Sequence, residues 1–245
     1  MWNNADVADR FRWVACQLDA LRKCAKLSEL KSTLSSLPKT LDGTYERILL
    51  NIDELWQDDV RKVLQWLCFS RRSLTLDEIA DALAVTFVDG AKFDPDERYP
   101  DPRDILSRCS SLVSLTVNRE GEVLRLAHFS VKEYLVSQRI QSSKASMYAI
   151  AESDATDFIA QSCLAYLLQF KTVDCPNYSQ IKKYSLAEYA SEFWWQHMKD
   201  LEDTLSNDLQ ALTMQLFEMP ETRRVSCTCT TCASEVANTH IYDGV

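Results

Sequence analysis

The chain has 245 residues, of which 46% are hydrophobic, 10% aromatic and 26% charged, the composition of an ordinary globular protein. It carries only 4 Gly and 6 Pro, where average usage would give about 17 and 12, so turn-rich all-β architectures are disfavoured and helices should dominate. With 27 basic against 36 acidic residues the formal net charge is −9, which excludes a chain built as a whole to wrap phosphate backbones.

In chain order, Val7, Phe11, Val14, Leu18 and Leu21 recur at spacings of 4, 3, 4 and 3 and predict an amphipathic helix over 7–24. A short helix from a possible N-cap at Ser28 to Ser36 should follow, stopped by Leu37-Pro38. The next, near 42–55, carries Tyr45, Ile48, Leu49, Ile52 and Leu55 on one face. Val60, Val63, Leu64, Leu67 and Cys68 then predict a helix over 58–70, with Trp66 and Leu67 on its apolar side. Thr75 and Glu78 have capping-box spacing ahead of Leu76, Ile79, Ala80 and Leu83, so a helix should span 76–84. Residues 86–101, with Asp89-Gly90, Pro95 and Pro100, read as a long loop. Pro102 suits the first position of a helix through Cys109. The apolar runs 112–117 and 123–127 flank the five-residue connection Asn118 to Glu122 and read as a β-hairpin.

Three short helices followed by a hairpin describe a winged-helix domain. Beyond it, Ser130 can cap a helix bearing Val131, Tyr134, Leu135 and Ile140, and further helices fit 154–170, 186–199 and 205–217. The stretch 221–245 lacks periodicity and reads as a disordered tail. The expected fold is therefore mainly α: a winged-helix domain with a small β-hairpin, flanked by helical segments.

The chemistry is narrowed by what is missing. Gly43, Gly90, Gly121 and Gly244 lie too far apart to form a phosphate loop, a dinucleotide fingerprint or a nucleophile elbow. None of the three His sits in an H-E-x-x-H setting. No catalytic constellation is visible, so a non-enzyme is expected. Cys16, Cys24, Cys68, Cys109 and Cys163 stand singly in apolar segments, as reduced thiols do. No stretch reaches the roughly 18 to 20 apolar residues of a membrane span, and the start lacks a signal-peptide pattern. A cytoplasmic protein without membrane contact is expected.

Four features invite a functional reading, each with a plainer alternative. His128 stands where a strand ends and a helix begins, so its ring can face a ligand or simply brace the junction through a backbone carbonyl. Cys227, Cys229, Cys232 and His240 could hold zinc, but no second C-x-x-C pair supports them and a solvated tail is favoured. Tyr189, Phe193, Trp194 and Trp195 could form a partner surface, although such a stripe is more often core. Arg103 and Arg108, on what would be a recognition helix, stand beside Asp101 and Asp104, and Arg119 in the wing beside Glu120 and Glu122. Nucleic-acid binding is the alternative reading, and the mixed charge disfavours it.

Several strings together resemble one family. Phe11-Arg12-Trp13, Ala15-Cys16-Gln17-Leu18, Leu37-Pro38-Lys39-Thr40-Leu41, Thr44-Tyr45-Glu46-Arg47-Ile48-Leu49, Leu64-Gln65-Trp66-Leu67, Leu74-Thr75-Leu76 and Leu126-Ala127-His128-Phe129-Ser130-Val131-Lys132-Glu133-Tyr134-Leu135 look like the segment that follows the nucleotide-binding core in fungal NACHT-type STAND ATPases, often of the NACHT–ankyrin class. The match runs from about residue 9 to 199. The winged-helix part is also similar to the domain labelled GPI inositol-deacylase winged helix; with no nucleophile elbow, no deacylase activity is carried over.

The resemblance implies a regulatory and interaction module of a signalling switch: the end of a helical domain over 1–55, the winged helix over 56–140, a helical connector over 141–220 and the tail over 221–245. It implies a nucleotide-binding domain as intramolecular partner, a repeat array further on, and His128 as the residue that senses bound ADP or ATP. This chain would hold no cofactor itself; the nucleotide belongs to a parent carrying the core, which would be the ATPase. Two features depart from the pattern. Asp9 stands near where the family has Gly, and no ankyrin period of about 33 residues follows Lys199. A truncated piece and a free-standing protein both remain compatible with the sequence.

Overall fold

Thr75 sets the pattern for how local sequence becomes structure in this protein. Its hydroxyl accepts the Glu78 N–H at 3.2 Å, and the Glu78 carboxylate accepts the Thr75 N–H at 2.7 Å. Two orphan donors are thus satisfied reciprocally, and the helix starts at Leu76. The chain is described by a computed structural model over residues 4–88, 90–118, 121–171, 184–201 and 205–219. The expected tail, with Cys227, Cys229, Cys232 and His240, lies outside the described residues, as do Arg119 and Glu120.

The helices are α1 (Asn4–Arg22), α2 (Leu27–Ser35), α3 (Leu41–Leu50), α4 (Gln57–Phe69), α5 (Leu76–Leu83), α6 (Asp104–Cys109), α7 (Phe129–Leu135), α8 (Gln138–Gln141), α9 (Glu152–Leu168), α10 (Ala187–Lys199) and α11 (Asn207–Phe217). The strands are β1 (Leu74–Thr75), β2 (Val85–Thr86), β3 (Lys92–Phe93), β4 (Val113–Asn118) and β5 (Gly121–Leu126). The run α4, α5, α6 and the β4–β5 hairpin is a winged-helix domain, and helices flank it on both sides. The hairpin register pairs Val113 with Leu126 and Asn118 with Gly121. Its strands therefore reach Asn118 and Gly121, closer together than the expected five-residue connection. Gly121, at φ +124°, takes a backbone conformation open to glycine.

The chain forms two compact units. The first comprises residues 1–68 and 103–151, and its core holds Tyr45, Leu49, Val60, Val63, Leu64, Trp66, Ile105, Leu112, Val123, Leu124, Val131 and Leu135, all at most 2% exposed. The second comprises 69–102 and 152–245. In it α9 is the central helix, packed by α5, α10, α11 and the β2–β3 pair. Ala160, Cys163, Leu164 and Leu167 of α9 are fully buried, and Phe93 meets Tyr166 edge-on at 4.7 Å between centroids.

Several expectations need correction. The α1 stripe of Phe11, Val14 and Leu18 faces outward, at 73%, 43% and 49% exposure. The helix is held to the first unit by the opposite side, where Cys16 and Gln17 are buried, Gln17 Nε2 donates to Thr44 Oγ1 at 2.9 Å, and Trp13 Nε1 donates to the Pro38 carbonyl at 3.0 Å. Polar anchoring, which an apolar period does not register, selects the packed face. The second helix starts at Leu27, because the Glu29 carboxylate takes the N–H groups of Ala25 and Lys26 at 2.9 and 3.2 Å; Ser28 is not its cap. Leu55 falls after the end of α3 and is 80% exposed. Leu67 is only half-buried, whereas Leu64 and Trp66 are enclosed. The expected loop over 86–101 contains β3 and a 3-10 turn at Pro95–Glu97. The expected helix after Ser130 breaks at Val136, where Ser137 takes the Tyr134 carbonyl with both its N–H and its hydroxyl, at 3.2 and 2.8 Å.

Candidate functional site

The junction between β5 and α7 has its own local logic. His128 is extended, at φ −161° and ψ 151°, and is itself the N-cap of α7; Ser130, expected in that role, is the second residue of the helix. The His128 Nδ1 accepts the Ser130 N–H at 3.3 Å and lies 2.7 Å from the Ser130 hydroxyl. That hydroxyl is buried and lies 2.8 Å from the Tyr45 phenol of α3. Burial pushes the phenol's pKa up, so Tyr45 stays protonated and can donate. A directed chain results: Tyr45 O–H to Ser130 Oγ, Ser130 O–H to His128 Nδ1.

The Ser130 N–H, which can only donate, fixes the tautomer and with it the direction of this chain. Because Nδ1 accepts, the neutral ring carries its proton on Nε2. Burial lowers the His128 pKa, Arg12 lowers it further, and Asp9 and Glu133 oppose the fall, so the ring is neutral near pH 7. The ring is half-buried, lies 4.3 Å from the half-exposed ring of Phe129, and has no acceptor for Nε2–H among the described residues. One side of His128 is tied to its own chain and the other is an open donor. Both readings of the residue thus have a physical counterpart.

The surroundings add two further groups. Arg12 of α1 donates through Nη2 to the Ser111 carbonyl, while its Nε and Asp9 Oδ1 are buried without hydrogen-bond partners. Unsatisfied buried polar atoms are uncommon in folded proteins, and here two of them belong to side chains whose charges reach His128. The spacing in the sequence singled out neither Asp9 nor Tyr45 for this site. Both are distant in sequence from His128, and no local pattern announces the meeting.

The other sequence candidates are placed as follows. Tyr189, Trp194 and Trp195 are at most 5% exposed and belong to the core of the second unit. Arg103, which precedes α6, forks Glu122 at 2.8 and 3.2 Å, and the guanidinium of Arg108 in α6 lies 3.7 Å from the centroid of Trp56. Cys16, Cys68, Cys109 and Cys163 are buried free thiols, and Cys24 is half-buried. Burial raises the Cys68 and Cys109 thiols to about 12, so they stay protonated and poorly nucleophilic. Among the described residues no group of three or more His, Cys, Asp or Glu could hold a metal ion, and no helix is long and apolar enough to cross a membrane.

Residues 46–151 match the family described as "GPI inositol-deacylase, winged helix domain". The chain is also similar to the azaphilone pigments biosynthesis cluster protein L of Monascus ruber, with 41% identity over 175 residues covering 69% of this chain. The aligned part is 37% of that relative, so the chain spans well under half of its length. No solved structure matches the chain. The segment that holds α4, α5, α6, the hairpin and His128 is therefore similar to a winged-helix family by sequence as well as by the order of its elements.

Proposed function

We propose that the chain is a non-catalytic regulatory module of a NACHT-type STAND switch, which packs on a nucleotide-binding domain and responds to its ADP or ATP state. The observation that carries this reading is the open Nε2–H of His128. A neutral donor, held in direction by the Tyr45–Ser130 relay, suits a phosphate oxygen. The outward α1 stripe of Phe11, Val14 and Leu18 offers apolar area on the same unit. Expected boundaries at 55, 140 and 220 and a cytoplasmic location form part of the same reading, as does a repeat array on a longer parent.

The nucleic-acid alternative is weakened by Arg103, whose charge is paired with Glu122, and by the formal net charge of −9. The test is gel filtration of this chain with a NACHT-type nucleotide-binding domain loaded with ADP or with a non-hydrolysable ATP analogue. A complex with the ADP form, weakened by His128→Ala, is expected. Equal association with both forms, or none, contradicts the reading, since a ligand shifts a switch only through differential contacts.

A further inference from the structure

A cavity of about 540 Å³ opens in the first unit among α1, α3 and α6, and His128 is not among its lining residues. Arg47, Arg108 and Lys23 supply its positive charge, and Asp19 and Asp53 its negative charge. Both carboxylates are occupied elsewhere: Asp19 pairs with Arg22 at 3.3 Å, and Asp53 Oδ1 takes the Leu55 N–H at 3.0 Å. Arg47 reaches only the Gln17 side-chain oxygen and the Ser36 carbonyl, at 3.4 and 3.5 Å. Arg108 rests on the face of Trp56. Neither arginine has a carboxylate partner among the described residues.

We propose that this cavity binds a small organic anion through a phosphate or carboxylate group, anchored by Arg47 and Arg108. A guanidinium stacked on an aromatic ring keeps its charge and its donors while losing freedom, so little ordering remains to be done on binding. The Arg108 fork and the Arg47 fork lining one concave site suit an oxyanion, and the cavity walls reduce the screening that weakens exposed pairs. The volume lies in the range of roughly 300 to 1,000 Å³ that small-molecule sites occupy, so there is room for an organic body beyond the anionic group. This site does not depend on the nucleotide reading of His128.

The test is titration calorimetry of the full chain with pyrophosphate and, separately, with citrate, at constant ionic strength. One saturable site with a Kd below about 1 mM is expected for at least one of them, and the tighter of the two assigns the headgroup as phosphate or carboxylate. Arg47→Gln and Arg108→Gln should each weaken binding about tenfold or more, as loss of a charge-assisted fork does. Ser107→Asp places a carboxylate at the exposed rim while leaving both arginines intact, and it should abolish binding even if an arginine variant fails to fold. Arg125→Gln, on the exposed side of β5, should leave binding unchanged. Failure of both anions to saturate, or binding that survives Ser107→Asp, overturns the proposal.

Discussion

The two compact units treat their half-buried arginines in opposite ways. In the second, Arg72 makes two bonds to the buried Glu78 carboxylate at 2.6 and 3.0 Å, and Arg98 reaches buried Asp81 at 2.6 Å and Asp77 at 3.1 Å. In the first, Arg12, Arg47, Arg61 and Arg108 are half-buried, and none of them has a carboxylate partner among the described residues. They rest instead on carbonyls, an amide oxygen and an indole face, or, for Arg61, leave Nε unpartnered. The second unit closes its charges on itself, as a structural element does. The first leaves these guanidinium charges without a carboxylate, so an anion from outside the chain has more to gain there.

The largest expected effect tests the closed unit. Asp81 is 3% exposed and accepts from Arg98, from the Tyr166 phenol at 2.5 Å and from the Leu186 N–H at 3.2 Å. Asp81→Ala strands these donors in a buried site, and denaturant titration should show a loss of about 3 to 5 kcal/mol. A loss below about 1 kcal/mol would mean that the network is dispensable and the contrast between the units is superficial.

The next effect is read against pH. His197 is 1% exposed, its Nε2 lies 2.8 Å from the Tyr189 phenol, and its Nδ1 is buried without a partner. Burial, and then the positive charge of Arg71, lower its pKa to about 3. The unfolded chain therefore takes up the proton first as pH falls, and the stabilisation that is complete above about pH 6.5 is lost below it. Between about pH 6 and 5 the slope attributable to this residue should approach 1.4 kcal/mol per pH unit, and His197→Gln should flatten it. An unchanged slope in the variant would place the proton uptake on another group. His128, also lowered, contributes in the same direction.

His128→Ala should have the smallest effect on stability, about 1 kcal/mol, because it removes an N-cap while the exposed side of the ring packs against little. A loss above about 3 kcal/mol would show the residue to be purely a brace.

These contrasts also show which parts of the molecule are legible in its sequence. Elements specified by neighbours in the chain are: the Thr75–Glu78 box, the α4 to α6 order and the hairpin all follow from spacings of a few residues. The Asp81 network is not, because Tyr166 lies 85 residues away and Leu186 105, and an acidic residue inside an amphipathic helix reads as solvated until its distant donors arrive. Arg98 is hidden for the same reason, in a segment whose Gly and Pro content reads as loop. At the candidate site, the position of His128 is readable from its place at the strand-to-helix junction. Its tautomer and the unsatisfied Asp9 and Arg12 depend on α1 and α3, which pack there through polar contacts.

A sensing role requires His128 to be bound by its own chain at Nδ1 and open at Nε2. Nitrogen-15 NMR of the imidazole in histidine-labelled protein near pH 7, assigned by comparison with His128→Ala, reads this directly. The expected result is the neutral Nε2–H tautomer, with an acceptor-type Nδ1 shift and an Nε2 proton that exchanges readily with solvent. A ring protonated on Nδ1, or an Nε2 proton shielded from exchange, would contradict it.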